Sequence, residues 1–318
     1  MTDPGSDVRV PITYATHSAS QATAQLAHIV PLLAEQFPLR NLHWRPPVTM
    51  QTLRPLKRSS GSSGTDSVPA LRTIQNLNVE LIPLATHLPN QQNVQILERV
   101  PCVHIFFVTC DDIDVYRAQV RNEIRHWLAT LRKHIPNDFD HLSTIRSDEQ
   151  DKAGTALPPE HLIVLLPPPS SGVFTASSAT SSGKSAMGRF YTMNKGTVLE
   201  KLRADFNSSA KEHVLALSKL PTSSKDNDPA LWIDIIAHIK TCTLASLGRV
   251  LGMQDRVVSM YDESTKGVNW TLSGSITRKE FVIQTLEGLG LLHDVLHIYD
   301  TVETLSLIHI SEPTRLGM

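Results

Sequence analysis

The 318-residue sequence has no excess of basic charge, and it has only three cysteines. Lys and Arg number 30 against 31 Asp and Glu, whereas nucleic-acid-binding proteins usually carry a basic surplus on one face. Cys102, Cys110 and Cys242 are far apart and form no C-x-x-C pair, so the sequence signals neither a disulfide framework nor a zinc knuckle. These absences favour a reducing, cytosolic compartment and give no indication of a nucleic-acid partner.

Long apolar runs are also missing. The N-terminal residues contain no apolar segment of the kind found in signal peptides. No apolar run approaches the roughly 18 residues that a membrane span requires. We therefore expect any membrane association to be peripheral.

Motifs for nucleophilic catalysis are absent as well. The sequence contains no G-x-S-x-G elbow, no cysteine lies in a recognisable catalytic context, and the histidines are scattered. We predict no catalytic, cofactor-binding or metal-binding residues, and no enzymatic activity.

The triplet Gly183-Lys184-Ser185 raises an alternative, a P-loop-type nucleotide-binding protein. In that motif two glycines let backbone N–H groups surround a phosphate, while the Lys supplies charge. The first glycine would be at position 178, where the sequence has Ser178, and a run of Ser, Thr and Ala precedes the triplet in place of a strand. The composition favours a flexible surface linker.

His293 and His297 have a metal-like spacing, since two histidines at i and i+4 lie on one helix face. A zinc protease has a Glu after the first His, because that carboxylate must reach the metal-bound water. Asp294 is one methylene shorter, and no third ligand follows at the expected spacing. We interpret the two histidines as a surface pair.

Asp111, Asp112 and Asp114 follow an apolar segment directly. Carboxylates at the end of a buried strand can contact ligands in α/β sheets. They can also cap a following helix, and we favour capping here. Three arginines lie on the polar side of that helix: Arg117, Arg121 and Arg125. They are compatible with binding phosphate or an acidic partner, although a charged outer face is common.

The apolar pattern alternates between strand-like and helical periods, which indicates an α/β fold. Strands are predicted at 8–16, 79–85, 103–110, 161–169 and, more weakly, 213–220. Helices are predicted at 20–37, 115–134, 196–207, 229–263 and 276–306, with Asp228 and Pro229 as start signals for the fourth. Pro31 is expected to end or kink the first helix.

Composition also divides the chain. We predict an α/β domain at 1–225 with Ser-rich insertions at 56–70 and 167–188, followed at 226–305 by the start of an α-helical solenoid that resembles tetratricopeptide repeats. A single repeat cannot bury its own face, so an apolar helical end is expected at Val295, Leu296 and Tyr299. The segment 306–318 is expected to be a non-native tail.

The order of segments 105–138 and 161–169 resembles the second half of a Ras-like small GTPase: a strand ending in an acidic residue, a helix with a tryptophan, then a further strand. Pro167 to Pro169 stand where the base-recognising N-K-x-D would begin. The resemblance implies a GTPase-like sheet with flanking helices that lacks the nucleotide motifs.

Four blocks in order resemble the N-terminal region of another family, subunit 10 of the trafficking protein particle complex (TRAPP), in a fungal-type, truncated form. The blocks are "FPLRNLHWRP" (37–46), "VHIFFVTCDDIDVYRAQVRNEIRHWL" (103–128), "GTVLEKLRADFNS" (196–208) and "LEGLGLLHDVLHIYDTVETL" (286–305). In the first block, the apolar side chains are expected to anchor an irregular segment between prolines.

This resemblance implies a non-catalytic subunit of the vesicle-tethering complex in Golgi trafficking. The family's complex promotes nucleotide exchange on Rab GTPases as an assembly, through a site formed by its small core subunits. The implied partners are other TRAPP subunits, a Rab GTPase indirectly, and the peripheral Golgi membrane, with a location at the trans-Golgi and in the cytoplasm. The implied protein uses no cofactor.

Overall fold

The computed structural model describes residues 8–46, 71–86, 100–133, 159–167, 197–265 and 272–311. Within them, six strands form one mixed sheet in the order β2-β3-β1-β4-β5-β6. The strands are β1 (Arg9–Thr16), β2 (Leu39–Trp44), β3 (Arg72–Pro83), β4 (Val103–Val108), β5 (His161–Leu165) and β6 (Val214–Ala216). The neighbouring strands are parallel except β2, which runs antiparallel to β3.

The centre of the sheet is formed by the most apolar segments of the chain. Every residue of β4 and β5 is buried. Ile12 of β1 is fully buried and is paired with Leu81 of β3 on one side and with Val103 of β4 on the other. Strands that are apolar on both faces require cover on both faces. The sheet therefore forms the middle of a three-layer α/β arrangement, and the predicted α/β class is confirmed.

Helices α2 and α3 cover one face of the sheet. Helix α2 combines a short turn (Ile113–Val115), a π-helical turn (Tyr116–Val120) and an α-helix (Arg121–Lys133), and α3 spans Val198–Phe206. Their apolar residues form one cluster with Phe106, Val108 and Val214 of the sheet. The buried side chains of α2 lie on one side of the helix at helical spacing, with Leu128 half-buried beside them: Tyr116, Val120, Ile124, Trp127 and Leu131.

The other face is covered by α1 (Ser20–Ala34) and by three helices near the end of the chain. These are α4 (Ile233–Thr265), α5 (Leu272–Gly288) and α6 (Leu292–Ser311). Residues of all four helices share one hydrophobic cluster with the sheet, including Ile29, Ile239, Leu286 and Val295. The helical part of the chain thus packs on the sheet.

The predicted start of α4 is confirmed. A 3₁₀ turn at Pro229–Trp232 precedes the helix, and the Asp228 carboxylate accepts a hydrogen bond of 2.9 Å from the Ala230 N–H. Proline at the first helical position and a carboxylate cap both stabilise a helix start.

The segment Pro229–Gly252 meets the length and composition of a membrane-spanning helix, with a mean hydropathy of 1.3. No membrane-spanning segment was expected from the sequence. In the structure Trp232, Ile239 and Leu247 are fully buried in the cluster that includes the sheet. Apolar residues packed on a sheet are typical of a core helix, and core helices pass the same length and composition test.

Four predicted boundaries are corrected. Segment 39–44, expected to be irregular, is strand β2; Asn41 has a positive φ of 54°, which breaks the regular alternation of buried and exposed residues. The single helix expected at 276–306 is two helices, separated at Gly290, whose φ of +70° suits glycine. Strand β3 begins at Arg72, before the predicted 79. Pro31 lies inside α1, which continues to Ala34.

Replacement of Trp232 by Ala should destabilise the fold strongly. Trp232 is fully buried and its indole Nε1–H donates to Asn227 Oδ1 at 2.6 Å. We expect Trp232→Ala to lower the free energy of unfolding by about 3–5 kcal/mol, measured by chemical denaturation. The neighbouring Ile233 is 62% exposed, so Ile233→Ala should change the free energy of unfolding by less than about 0.5 kcal/mol. Equal effects of the two substitutions would show that Trp232 is not a core residue.

Candidate functional site

The carboxyl edge of the sheet, between β1 and β4, is where an α/β protein of this topology would bind a ligand. The chain leaves β1 towards β3 on one side and leaves β4 towards β5 on the other. Ligands of open α/β sheets bind in the crevice at such a switch point, with anions at a helix N-terminus.

A carboxylate already lies at the start of α1. Glu123 of α2 accepts hydrogen bonds of 2.8 Å from both the N–H and the hydroxyl of Ser18, just before the helix. A phosphate placed here would meet this negative charge, and it would compete for the same donors. The arrangement ties the β1–α1 turn to α2 and places a negative charge at this helix start.

Further polar contacts link the two turns at this edge. His17 Nε2 lies 3.0 Å from Thr109 O and 3.2 Å from Thr109 N, and the Thr109 hydroxyl donates to Gln25 Oε1 at 2.7 Å. Burial lowers the pKa of His17, although the contact with Thr109 opposes this shift. The edge is thus filled by the protein's own side chains.

One of the acidic residues after β4 caps the following helix. Asp112 is the N-cap of α2 and accepts a hydrogen bond of 2.8 Å from the Asp114 N–H. This confirms the interpretation preferred from the sequence. Asp111 is exposed beside it.

Two of the three arginines of α2 have acidic partners. Arg121 donates to Asp205 of α3 at 2.8 Å, and the Tyr116 hydroxyl donates to the same carboxylate at 2.7 Å. Burial raises the pKa of Tyr116, so this tyrosine stays protonated and donates. Arg117 lies 3.9 Å from Asp114, and Arg125 is exposed. Arg121 therefore fastens α2 to α3.

Asp294 lies between His293 and His297 in the sequence, but its side chain contacts Arg72. Asp294 is buried and receives a hydrogen bond of 2.7 Å from Arg72 of β3. Its carboxylate joins α6 to the sheet. Within the described ranges, no three His, Cys, Asp or Glu side chains are placed to hold a metal.

The expected apolar helical end is present in part. Leu296 and Tyr299 are 62% and 48% exposed, and Leu292, at 62%, extends the same stripe by one turn. Val295 is 4% exposed and belongs to the core, so its assignment to this surface was wrong. The stripe consists of Leu292, Leu296 and Tyr299.

One cluster of charged residues was not found from the sequence. The Glu160 carboxylate is buried and accepts from Lys211 and Arg249, both at 2.9 Å. Its neighbour His161 stacks on His213, with ring centroids 4.3 Å apart and planes within 7°. Lys211 and Arg249 are 51 and 89 residues from Glu160 along the chain, and no local motif connects them. Only the fold brings them together.

The stability of the fold should depend on pH through His161. Burial lowers the pKa of His161 below its usual 6.5, although the hydrogen bond to the Pro159 carbonyl opposes this shift. The unfolded chain then binds more protons below pH 6.5, so stability is lost as pH falls from 6.5 towards the folded-state pKa. His17 contributes in the same direction.

We expect His161→Phe, which retains an aromatic ring, to flatten this dependence. The measurement is the free energy of unfolding between about pH 7.5 and pH 5.5. His126→Gln, at an exposed position of α2, is the matched control and should leave the slope of the free energy of unfolding against pH unchanged. A slope unchanged by His161→Phe would contradict the assignment.

The triplet Gly183-Lys184-Ser185 and both Ser-rich insertions, apart from Pro167, lie outside the described residues.

A model of the family "Trafficking protein particle complex subunit 10-like, N-terminal" matches residues 57–153. Two curated proteins, subunit 10 of the trafficking protein particle complex from mouse and from human, are each 20% identical over 277 residues, or 87% of this chain. The chain spans 18% of the length of these relatives. No solved structure matches the chain significantly. Sequence similarity over most of its length therefore shows that the chain carries a region like the N-terminal part of trafficking protein particle complex subunit 10.

Proposed function

We propose that the chain is a non-catalytic subunit of the TRAPP vesicle-tethering complex. It acts in Golgi trafficking and supports Rab GTPase nucleotide exchange by the assembly. The similarity to subunit 10 carries this proposal. The closed carboxyl edge supports it, because Glu123 occupies the start of α1 where a nucleotide-binding protein would place a phosphate.

The partners under this proposal are other TRAPP subunits, with a Rab GTPase contacted indirectly through the complex. The chain is placed peripherally at the Golgi membrane, in the trans-Golgi region, and in the cytoplasm. It binds no nucleic acid. The near balance of 30 basic and 31 acidic residues is compatible with protein partners.

The α/β part is proposed to be a GTPase-like scaffold without a nucleotide site. Strands β4 and β5 are adjacent and parallel, and α2 with its tryptophan follows β4, as the resemblance implied. The side chains after β4 cap α2 or contact the β1–α1 turn. The fold then serves as a support for surfaces that contact other subunits.

The helices α4 to α6 are proposed to begin a helical solenoid, with the boundary between the two parts near residue 226. Successive helices pack on each other, and α6 presents the stripe of Leu292, Leu296 and Tyr299 outward. Exposed apolar residues at positions i, i+4 and i+7 suit the packing of a further helix.

The P-loop alternative is not proposed. The comparisons with known proteins point to a TRAPP subunit and give no support to nucleotide binding.

Assembly with small TRAPP subunits tests the proposal. We expect the purified chain to form a stoichiometric complex with at least one of them at about 10 μM, measured by size-exclusion chromatography with light scattering. The double variant Leu296→Asp, Tyr299→Asp should assemble equally well, because the stripe serves the helical continuation, and it should self-associate less than the original chain.

The absence of any complex with the small subunits would contradict the proposed function. Loss of assembly in the double variant, with its fold intact, would instead show that the stripe is the docking surface and would overturn its assignment to a solenoid.

A further inference from the structure

A groove separate from the carboxyl edge opens between α2, α3 and the beginnings of β5 and β6. Its volume is about 200 Å³. The residues that line it are Leu128, Leu131, Arg132, Pro159, His161, Asp205, Phe206, Ser208 and His213. Sites for drug-sized ligands and cofactors have volumes of about 300–1,000 Å³, so this groove suits a single side chain with its flanking backbone.

The groove has an apolar floor and rigid walls. Leu131 is buried, and Leu128 and Phe206 are half-buried beside it. The stacked rings of His161 and His213 form one wall, and Trp127 supports His161 edge-on at a centroid distance of 6.1 Å. An aliphatic side chain would find a preformed surface here, because packing fixes these rings in place.

The hydrogen bonds of the two histidines orient their rings. His161 Nδ1 lies 3.0 Å from Pro159 O, and His213 Nδ1 lies 3.2 Å from His161 O. A carbonyl oxygen only accepts, so Nδ1 of each neutral ring carries the proton. Neither Nε2 atom has a hydrogen-bond partner among the described residues, and both can face a ligand.

The charges around the groove favour an anion. Asp205 is already neutralised by Arg121, at 2.8 Å. Glu160, which precedes His161 in the chain, is shared by two cations, Lys211 and Arg249. Arg132 is exposed at the rim and forms no ion pair within the described part of the chain. Of the two charged residues that line the groove, Asp205 is thus paired with Arg121, whereas Arg132 has no such partner among the described residues and can hold a carboxylate beside the apolar floor.

We propose that this groove binds a short acidic peptide segment of a partner protein, with one aliphatic side chain on the apolar floor and an adjacent carboxylate on Arg132. A carboxylate paired with an arginine at the rim of an apolar pocket is a charge-assisted contact, which gives both affinity and orientation. The proposal does not depend on the TRAPP assignment, because only the groove's own side chains carry it.

The test is fluorescence anisotropy of a labelled peptide, Gly-Asp-Leu-Asp-Gly-amide, titrated with the full chain. We expect a Kd on the order of 100 μM, as suits a small groove. Replacing both Asp by Asn, or the Leu by Ser, should weaken binding by about tenfold. Arg132→Glu should do the same, whereas Arg117→Glu, a charge reversal on the same helix outside the groove, should change the Kd by less than about twofold.

Several results would overturn the proposal. One is no binding of the acidic peptide at about 1 mM chain, and another is equal binding of the Asn peptide. A Kd that responds equally to Arg132→Glu and Arg117→Glu would place the peptide elsewhere. Equally effective competition by free isovalerate would show that the groove recognises a small carboxylic acid and has no preference for a peptide.

Discussion

Burial of the central strands on both faces is the constraint on which the rest of the structure depends. Every residue of β4 and β5 is buried, so both faces of the sheet must be covered by helices. Alternate residues of β4 enter different clusters: Ile105 and Phe107 face α1 and the late helices, whereas Phe106 and Val108 face α2 and α3. The three layers follow from this alternation. Two side-chain bridges, from Arg72 to Asp294 and from Glu160 to Arg249, fasten the late helices to the sheet.

The same constraint directs attention to the protein's surfaces. The carboxyl edge between β1 and β4, where such sheets bind ligands, is closed by Glu123, His17 and Thr109. A closed edge suits a subunit that positions other proteins. Among the described residues, two outward features are the exposed stripe on α6 and the groove beside His161 and His213, and the groove has a volume suited to one side chain of a neighbouring segment.

The strongest sequence patterns predicted the structure well. Strand β4 was found because an apolar run is short and ends at acidic residues, and α2 because its apolar residues keep a helical spacing. Local capping was also predictable, at Asp112 and Asp228. The family was recognised from four short blocks, and the comparisons support that recognition.

Other features depend on information that a local pattern does not contain. Strand β2 was missed because the positive φ of Asn41 shifts the phase of its buried residues. The break between α5 and α6 was missed because Leu289 and Leu291 on either side of Gly290 continue the apolar pattern through the turn. The groove of His161 and His213 brings together residues 52 positions apart, and only the parallel pairing of β5 with β6 makes them neighbours.

Hydrogen–deuterium exchange of the chain, read by mass spectrometry, tests the central claim most directly. The chain is measured alone, with GTP and Mg²⁺, and with the small TRAPP subunits. The proposed function predicts that nucleotide leaves the exchange of the β1–α1 and β4–α2 turns unchanged, whereas the subunits slow exchange over a defined surface. Slower exchange of those turns with GTP, and no response to the subunits, would contradict it.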